Sequence, residues 1–212
     1  MPISRFSVPA VGDKGDKGDP GATGATGLKG DTGATGDFSS VHPGFIPGKY
    51  YSPHFYIGVT NRTLNSGIVH YSYFFVPKQQ SFSAVAFQIS ATVAAAQNAR
   101  LAIYSVNNGL PANLIADLGI VSINSAVVKE AATTLNLAPG WYALAFVFDG
   151  TGASFLVPTS TLLVASLIGL NTATSNTTAG IRAAFNYGAF PSIAPIANFS
   201  YGDVPFIWLK AS

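Results

Sequence analysis

The chain contains no cysteine, and only 9% of its 212 residues are charged. Without cysteine it cannot build a disulfide framework or a cysteine-ligated metal site, and its folding is compatible with a reducing cytosol. Soluble domains carry about 25% charged residues. A single chain so poor in charge would struggle to cover its own surface, whereas an oligomer hides part of that surface between subunits.

An excess of either charge sign is also missing, because 11 basic and 9 acidic residues leave a formal net charge of +2. Phosphate recognition needs clustered Lys and Arg, so we expect no nucleic-acid partner. The most apolar stretch, residues 162–170, is about half of the ~20 residues that span a bilayer, so we expect no membrane insertion. The N-terminus lacks the pattern of a secretory signal, which predicts a chain made in the cytosol and not exported by the general pathway.

Glycine, in contrast, returns at every third position from Gly12 to Gly36 without a break. This G-X-Y period is typical of the collagen triple helix, in which three extended chains wind together and only glycine fits at the crowded axis. The sequence therefore predicts a homotrimer. The predicted triple-helix glycines are Gly12, Gly15, Gly18, Gly21, Gly24, Gly27, Gly30, Gly33 and Gly36.

Lysine and aspartate flank several of these glycines as Lys-Gly-Asp. In a staggered triple helix this spacing can bring a lysine near an aspartate of a neighbouring chain, and each exposed pair would contribute at most about 1 kcal/mol. The predicted interchain pairs involve Lys14, Asp16, Lys17, Asp19, Lys29 and Asp31. Only Pro20 stiffens the interior of the repeat, which makes a rod of roughly 75 Å. We expect the C-terminal region to hold the three chains together.

Changes in composition divide the chain into four regions. They are an N-terminal segment (1–11), the collagen-like repeat (12–36), a linker punctuated by Pro and Gly (37–49) and a head that also trimerises (50–212). The N-terminal segment, which contains Phe6, Val8 and Pro9, is either a frayed terminus or an anchor that docks into another protein.

The head is predicted to be all-β, because apolar residues alternate or form short runs between turn signals. Residues 82–93 alternate, with Val85, Phe87, Ile89, Ala91 and Val93 on one face. The runs 100–106 and 140–148 are followed by Asn107-Asn108-Gly109 and Asp149-Gly150. Further predicted strands are 49–59, 67–76, 114–123, 131–137, 153–157, 161–170, 180–187 and 204–210. About ten short strands indicate an antiparallel β-sandwich, with a jelly roll as the first choice. Alanines within these strands would allow sheets or subunits to approach closely.

Catalytic chemistry has almost no support in the head. Its acids show no pairing pattern, its histidines lack metal-ligand spacing, and no serine lies in a nucleophile elbow. Asp149 and Asp203 adjoin glycines and are interpreted as turn residues, and His70 as a residue on a strand surface. We therefore expect no enzyme activity, no metal site and no cofactor.

Two aromatic clusters are the remaining candidates for binding. Exposed rings beside amide or acidic groups can stack on sugars while the polar groups bind hydroxyls. The possible glycan contacts are Tyr50, Tyr51, His54, Tyr56, Asn186 and Tyr187. The alternative is that most of these rings belong to the core or to a trimer interface. Trp141 and Trp208 lie inside strand-like runs and are interpreted as structural, and residues 171–178 as an outer tip.

Residues 100–121 and 138–148, followed by the terminal PFIWLK at 205–210, resemble a β-domain that recurs in structural proteins of tailed bacteriophages. The resemblance covers most of residues 80–210 at family level. It implies a trimeric virion fibre, made in the host cytoplasm, whose N-terminus is embedded in a capsid, portal or tail protein and whose head faces outward. The Thr-rich Y positions of the repeat fit a prokaryotic or viral collagen rather than an animal one.

Three hypotheses follow. The first is a phage fibre whose head attaches to a host surface, through glycan, by the avidity of three weak sites. The second is a structural decoration, either a capsid head fibre or a collagen-like filament of a spore surface. The third, an enzyme that cleaves surface polysaccharide, is the weakest because acids are so few.

Overall fold

The computed structural model describes residues 11–24, 43–53, 58–91, 97–159 and 179–212. The chain divides into two compact units, Met1–Thr35 and Gly36–Ser212. Several predictions lie outside the described residues. They concern the anchor residues Phe6, Val8 and Pro9, the glycines Gly27, Gly30, Gly33 and Gly36, the pair residues Lys29 and Asp31, the aromatic-cluster residues His54 and Tyr56, residue Val93, the strand 161–170 and the outer tip 171–178.

The described part of the second unit contains twelve β-strands and no helix, which confirms the all-β prediction. The strands are β1 (Tyr50–Tyr51), β2 (Val59–Thr63), β3 (Ile68–Val76), β4 (Gln80–Ala91), β5 (Asn98–Asn107), β6 (Leu110–Ser122), β7 (Val128–Leu137), β8 (Gly140–Phe148), β9 (Ser154–Pro158), β10 (Gly180–Ala184), β11 (Ser200–Gly202) and β12 (Ile207–Ala211).

These strands form two antiparallel sheets. Sheet 1 has the order β1-β12-β4-β9-β2, with β7 on the opposite edge of β4. Sheet 2 has the order β11-β10-β3-β8-β5-β6. Strands β12 and β9 share one edge of β4, where β12 pairs with residues 82–87 and β9 with residues 89–91.

The two sheets bury a common core between them, an arrangement consistent with the predicted β-sandwich. Phe146 of sheet 2 packs against Phe87 and Phe155 of sheet 1, with ring centroids 5.1 Å apart in both pairs. The alternation predicted for 82–93 places Val85, Phe87 and Ile89 in this core, whereas Ala91 at the end of β4 is exposed.

Turn chemistry sets the register of the hairpin between β5 and β6. Asn108 and Gly109 have φ angles of 49° and 79°, and Asn107 pairs with Leu110 across the turn. Positive φ at both central residues is the backbone of a type I′ turn, for which Asn-Gly is the preferred sequence. The turn predicted after residues 100–106 is therefore confirmed.

The outer face of sheet 2 is covered by the chain itself. Tyr71, Tyr104 and Ala145 point away from the central core into a second cluster, which residues 185–199 cover. Phe190 of this segment is 6% exposed and meets the Tyr104 ring edge-on at 6.1 Å. We call residues 185–199 the covering segment. The strands β3, β8 and β5 of sheet 2 are consequently buried on both faces, whereas the edge strand β6 stays partly exposed.

The interpretation of His70 as a surface residue is wrong, because the side chain is only 1% exposed. Its Nδ1 lies 2.8 Å from the carbonyl oxygen of Asp203, and its Nε2 lies 3.3 Å from that of Asn65. The neighbouring Ser72 hydroxyl donates to the Pro205 carbonyl at 2.8 Å. Residues 203–206 therefore lie against the inner face of β3 and bury positions that the alternation alone placed in solvent.

The predicted strand 49–59 is also wrong in its extent. Strand β1 ends at Tyr51 and pairs with β12, whereas β2 begins at Val59 and pairs with β9. Pro53 lies between them and has no N–H for a sheet ladder, which accounts for the interruption. The strand predicted at 180–187 ends earlier, at Ala184.

Candidate functional site

A shallow groove of about 330 Å³ lies on the outer face of sheet 1. It is lined by Tyr50, Ala86, Val128, Glu130 and Trp208. Tyr50 and Val128 are 43% and 51% exposed, so the groove presents an aromatic ring and an aliphatic side chain to solvent. We call this the sheet 1 groove.

Strand alternation explains why these side chains meet. In β12, Ile207 and Leu209 enter the central core, so Trp208 and Lys210 must point to the opposite face. Trp208 lies opposite Ala86 in the sheet, and Ala86 lies opposite Glu130 on the other side. The small Ala86 side chain leaves the floor of the groove low between larger neighbours.

A paired set of polar groups forms the rim of the groove. The Tyr50 hydroxyl donates to Glu130 Oε1, and Lys210 Nζ lies 3.6 Å from Glu130 Oε2 and 5.0 Å from the centroid of the Tyr50 ring. Hydrogen bonding to Tyr50 and the negative charge of Glu130 raise the pKa of Lys210. The rim therefore offers a carboxylate and an ammonium group that already neutralise each other.

The candidates Asn186 and Tyr187 lie on the other side of the sandwich. Asn186 is exposed and Tyr187 is half-buried in the covering segment, where Tyr187 packs against the second cluster. The Tyr187 hydroxyl is buried and has no hydrogen-bond partner among the described residues. Burial raises the pKa of this hydroxyl.

The structure does not bring all of the predicted glycan contacts together. Tyr50 faces the sheet 1 groove, whereas Tyr51 accepts a hydrogen bond from the Ile46 N–H at 2.7 Å and packs its ring 4.9 Å from Phe45. Asn186 and Tyr187 belong to the covering segment on the outer face of sheet 2. Tyr50 thus lies on one outer face and Asn186 and Tyr187 on the opposite one, whereas Tyr51 points inward beside the core residue Leu209.

Sequence reasoning missed most of the sheet 1 groove. From the sequence, Trp208 is interpreted as structural, and the predicted binding residues do not include Val128, Glu130 or Lys210. The alternation of Ile207, Trp208, Leu209 and Lys210 was the available signal, since it separates two core residues from two outward ones.

Two acids of the head, Asp117 and Asp149, are occupied by structural contacts. Arg100 donates to Asp117 at 2.7 Å across β5 and β6, and this hydrogen bond raises the pKa of Arg100. The Asp149 carboxylate accepts the Asn98 N–H at 2.6 Å beside the bend at Gly150.

Among the residues that the structure describes, no group of three or more His, Cys, Asp or Glu side chains could hold a metal ion. No helix in the same residues is long and apolar enough to cross a membrane.

Glycines of the repeat have a different environment from glycines of the head. A Cβ added at Gly12, Gly15, Gly18, Gly21 or Gly24 would meet no atom of the chain within 4 Å, and none of the five has a φ in the left-handed region. In the head, a Cβ at Gly180 would lie 2.2 Å from the Tyr71 carbonyl oxygen. The fold of the single chain therefore accounts for Gly180 but not for the five described glycines of the repeat.

No protein-family model matches the chain, and no curated protein sequence is similar to it.

Proposed function

We propose that the chain is a homotrimeric fibre protein of a bacteriophage virion. In this proposal residues 12–36 form a collagen triple helix, and residues 1–11 dock into a capsid, portal or tail protein. Residues 50–212 form a jelly-roll head that attaches to a host surface, with glycan as the ligand.

The observation that carries the proposal is the environment of the repeat glycines. Nothing in the single chain requires glycine at Gly12 to Gly24, either by φ or by a close neighbour. A triple helix supplies the missing reason, because each third residue then faces two other chains at the axis. The exposed Lys14, Asp16, Lys17 and Asp19 remain available for interchain ion pairs.

The strand order supports a jelly-roll head. Strands β2 to β9 have the orders β2-β9-β4-β7 in sheet 1 and β3-β8-β5-β6 in sheet 2. Every connection among these eight strands passes between the sheets except the hairpin from β5 to β6. Two four-stranded sheets linked in this way correspond to the double Greek key of a jelly roll, a fold common in viral capsid and lectin domains.

Asn186 and Tyr187 are the pair that best supports glycan attachment. The Asn186 amide is exposed beside a half-buried ring on the covering segment. Three such weak sites on one rod, multiplied by the copies on a virion, gain strength by avidity without a deep pocket.

A second candidate function is a capsid decoration without a receptor. It is favoured by the division of the predicted glycan contacts between two opposite faces, and by the inward contacts of Tyr51. An array of host-surface glycans probed with the verified trimer separates the two functions. Binding that is lost in Asn186→Ala supports attachment, and silence across the array supports decoration.

The virion location is tested by electron microscopy of virions labelled with an antibody to the head. We expect label on projecting fibres, and a soluble pool with unlabelled virions would contradict the proposal. A cryo-electron map of the virion would show which protein receives residues 1–11.

The triple helix is tested by Gly24→Ala with Thr23→Ala as the matched control, because the two changes are adjacent and both positions are exposed in the single chain. Circular dichroism melting should show a lower rod transition for Gly24→Ala, with the β-sheet transition of the head unchanged. Equal rod transitions in the two variants would contradict a triple helix.

A further inference from the structure

We propose that the outer face of sheet 1, centred on the sheet 1 groove, is the surface through which three heads of this chain pack against one another. This inference rests on the trimer of the proposed function and adds the surface that holds the heads together.

The chemistry of the groove favours protein over sugar. Ala86, Val128 and Trp208 make its floor and walls apolar, and the Tyr50 hydroxyl already donates to Glu130. A sugar needs free polar groups for its hydroxyls, as ligand sites combine apolar walls with a few placed polar groups. A second copy of the chain needs chiefly apolar area and a polar rim, which the groove provides.

Small side chains extend along the same face. Ala84 lies opposite Ala132 on β7 and opposite Lys210 on β12, while Ala86 lies one step further along β4. Alanine is a poor strand former, so strand propensity does not explain these positions. Ala84 and Ala86 are 2% and 0% exposed in the single chain, so they form a floor beneath larger side chains, and those larger side chains make the surface that another copy would contact.

The repeat identifies the occupant as another copy. Three chains are required by a collagen helix, and Gly36 is followed after only thirteen residues by Tyr50, the first residue of β1. Strand β1 lies at the edge of sheet 1 beside Lys210. The first strand of the head therefore belongs to this sheet, whereas the outer face of sheet 2 is covered by the covering segment.

The absence of cysteine permits a labelling test that barely perturbs the full chain. Val128→Cys places a thiol in the groove, and Ile120→Cys places the control thiol on β6 of sheet 2. Val128 and Ile120 are 51% and 60% exposed in the single chain. We expect maleimide to label Val128→Cys at least about tenfold more slowly than Ile120→Cys, and both at equal rates in urea.

The second measurement compares two variants, each of which introduces a negative charge. Val128→Glu should reduce the mass of the full chain from three chains toward one while the β-sheet circular dichroism is retained, and Ile120→Glu should leave the mass at three chains. If Val128→Glu fails to fold, the labelling comparison still decides the proposal.

Each other outcome is informative. A three-chain wild type whose Val128→Cys variant labels as fast as the Ile120→Cys variant overturns this surface and leaves the trimer standing. Protection of Val128→Cys that requires added host polysaccharide makes the groove a glycan site and overturns the inference. A wild type with the mass of one chain contradicts the proposed trimer itself.

Discussion

The two outer faces of the sandwich differ in how far the described chain covers them. The outer face of sheet 2 carries large side chains, among them Tyr71 and Tyr104, and the covering segment buries them almost completely. The outer face of sheet 1 has an alanine floor and leaves Tyr50 and Val128 half in solvent. Among the described residues, the chain itself covers one outer face, whereas the other stays partly exposed. Under the proposed trimer, the partly exposed face is the one that another copy covers.

The largest effect that separates the two faces is expected from Phe190→Ala. Phe190 stacks on Phe185 at 5.4 Å and meets Tyr104, so its loss opens a cavity under the covering segment. We expect the free energy of unfolding to fall by about 3–5 kcal/mol in urea titrations, at every protein concentration.

The matched change on the other face is Val128→Ala. Its cost should be within about 0.5 kcal/mol for a dissociated chain, as for an ordinary surface position, and should grow as the protein concentration favours the trimer. If Phe190→Ala lowered the free energy of unfolding by less than about 1 kcal/mol, the two faces would not differ as proposed. The same would follow if the cost of Val128→Ala did not change with protein concentration.

A pH dependence of intermediate size is expected from His70, which joins β3 to residues 203–206. Burial lowers the pKa of His70 and is the largest influence on it. The carbonyls of Asp203 and Asn65 favour the protonated ring, as does the Asp203 carboxylate, whereas Arg182 opposes protonation. The unfolded chain takes up this proton near pH 6.5, whereas the folded chain does so only at lower pH. The stability that neutral His70 contributes above pH 6.5 is therefore lost as the pH falls toward the pKa of His70 in the folded chain.

This dependence is measured by urea unfolding at about pH 7.5 and about pH 5.5, in wild type and in His70→Gln. Wild type should lose more unfolding free energy between the two pH values than the variant does. Equal losses would show that the burial of His70 carries no pH-dependent stability.

The smallest effect is expected from the ion pair of sheet 2. Arg100 and Asp117 keep 22% and 27% of their side chains exposed, so Arg100→Gln should cost about 0.2–1 kcal/mol, less at high salt. Glu130→Gln, which breaks the rim of the sheet 1 groove, should instead alter the concentration dependence of thermal unfolding. If the effect of Arg100→Gln on unfolding depended on protein concentration, the chains would associate through sheet 2, which would contradict the proposed surface on sheet 1.

Strands with a strong pattern could be predicted from the sequence. The run 140–148 is a strand with those bounds, and Asn108-Gly109 forms the turn that its residue types favour. The edge strands β2 and β11 were missed because VTNRT and SYG carry no apolar alternation. Their formation depends on the strands they pair with, which sequence reading of a short segment does not reveal.

The burial of each strand face was less accessible to sequence reasoning. Alternation assigns His70 and Tyr71 to opposite faces, but it does not show that residues 203–206 cover one and the covering segment the other. The sheet 1 groove was missed for a related reason, because Glu130 and Trp208 lie 78 positions apart in the sequence and meet only through their shared neighbour Ala86.

In the proposed trimer, another copy covers one face of each head, and sedimentation equilibrium of the full chain measures whether three copies associate. This trimer has an expected mass of about 66 kDa, three times the chain mass of 21.9 kDa. A mass of one chain at all concentrations would contradict it.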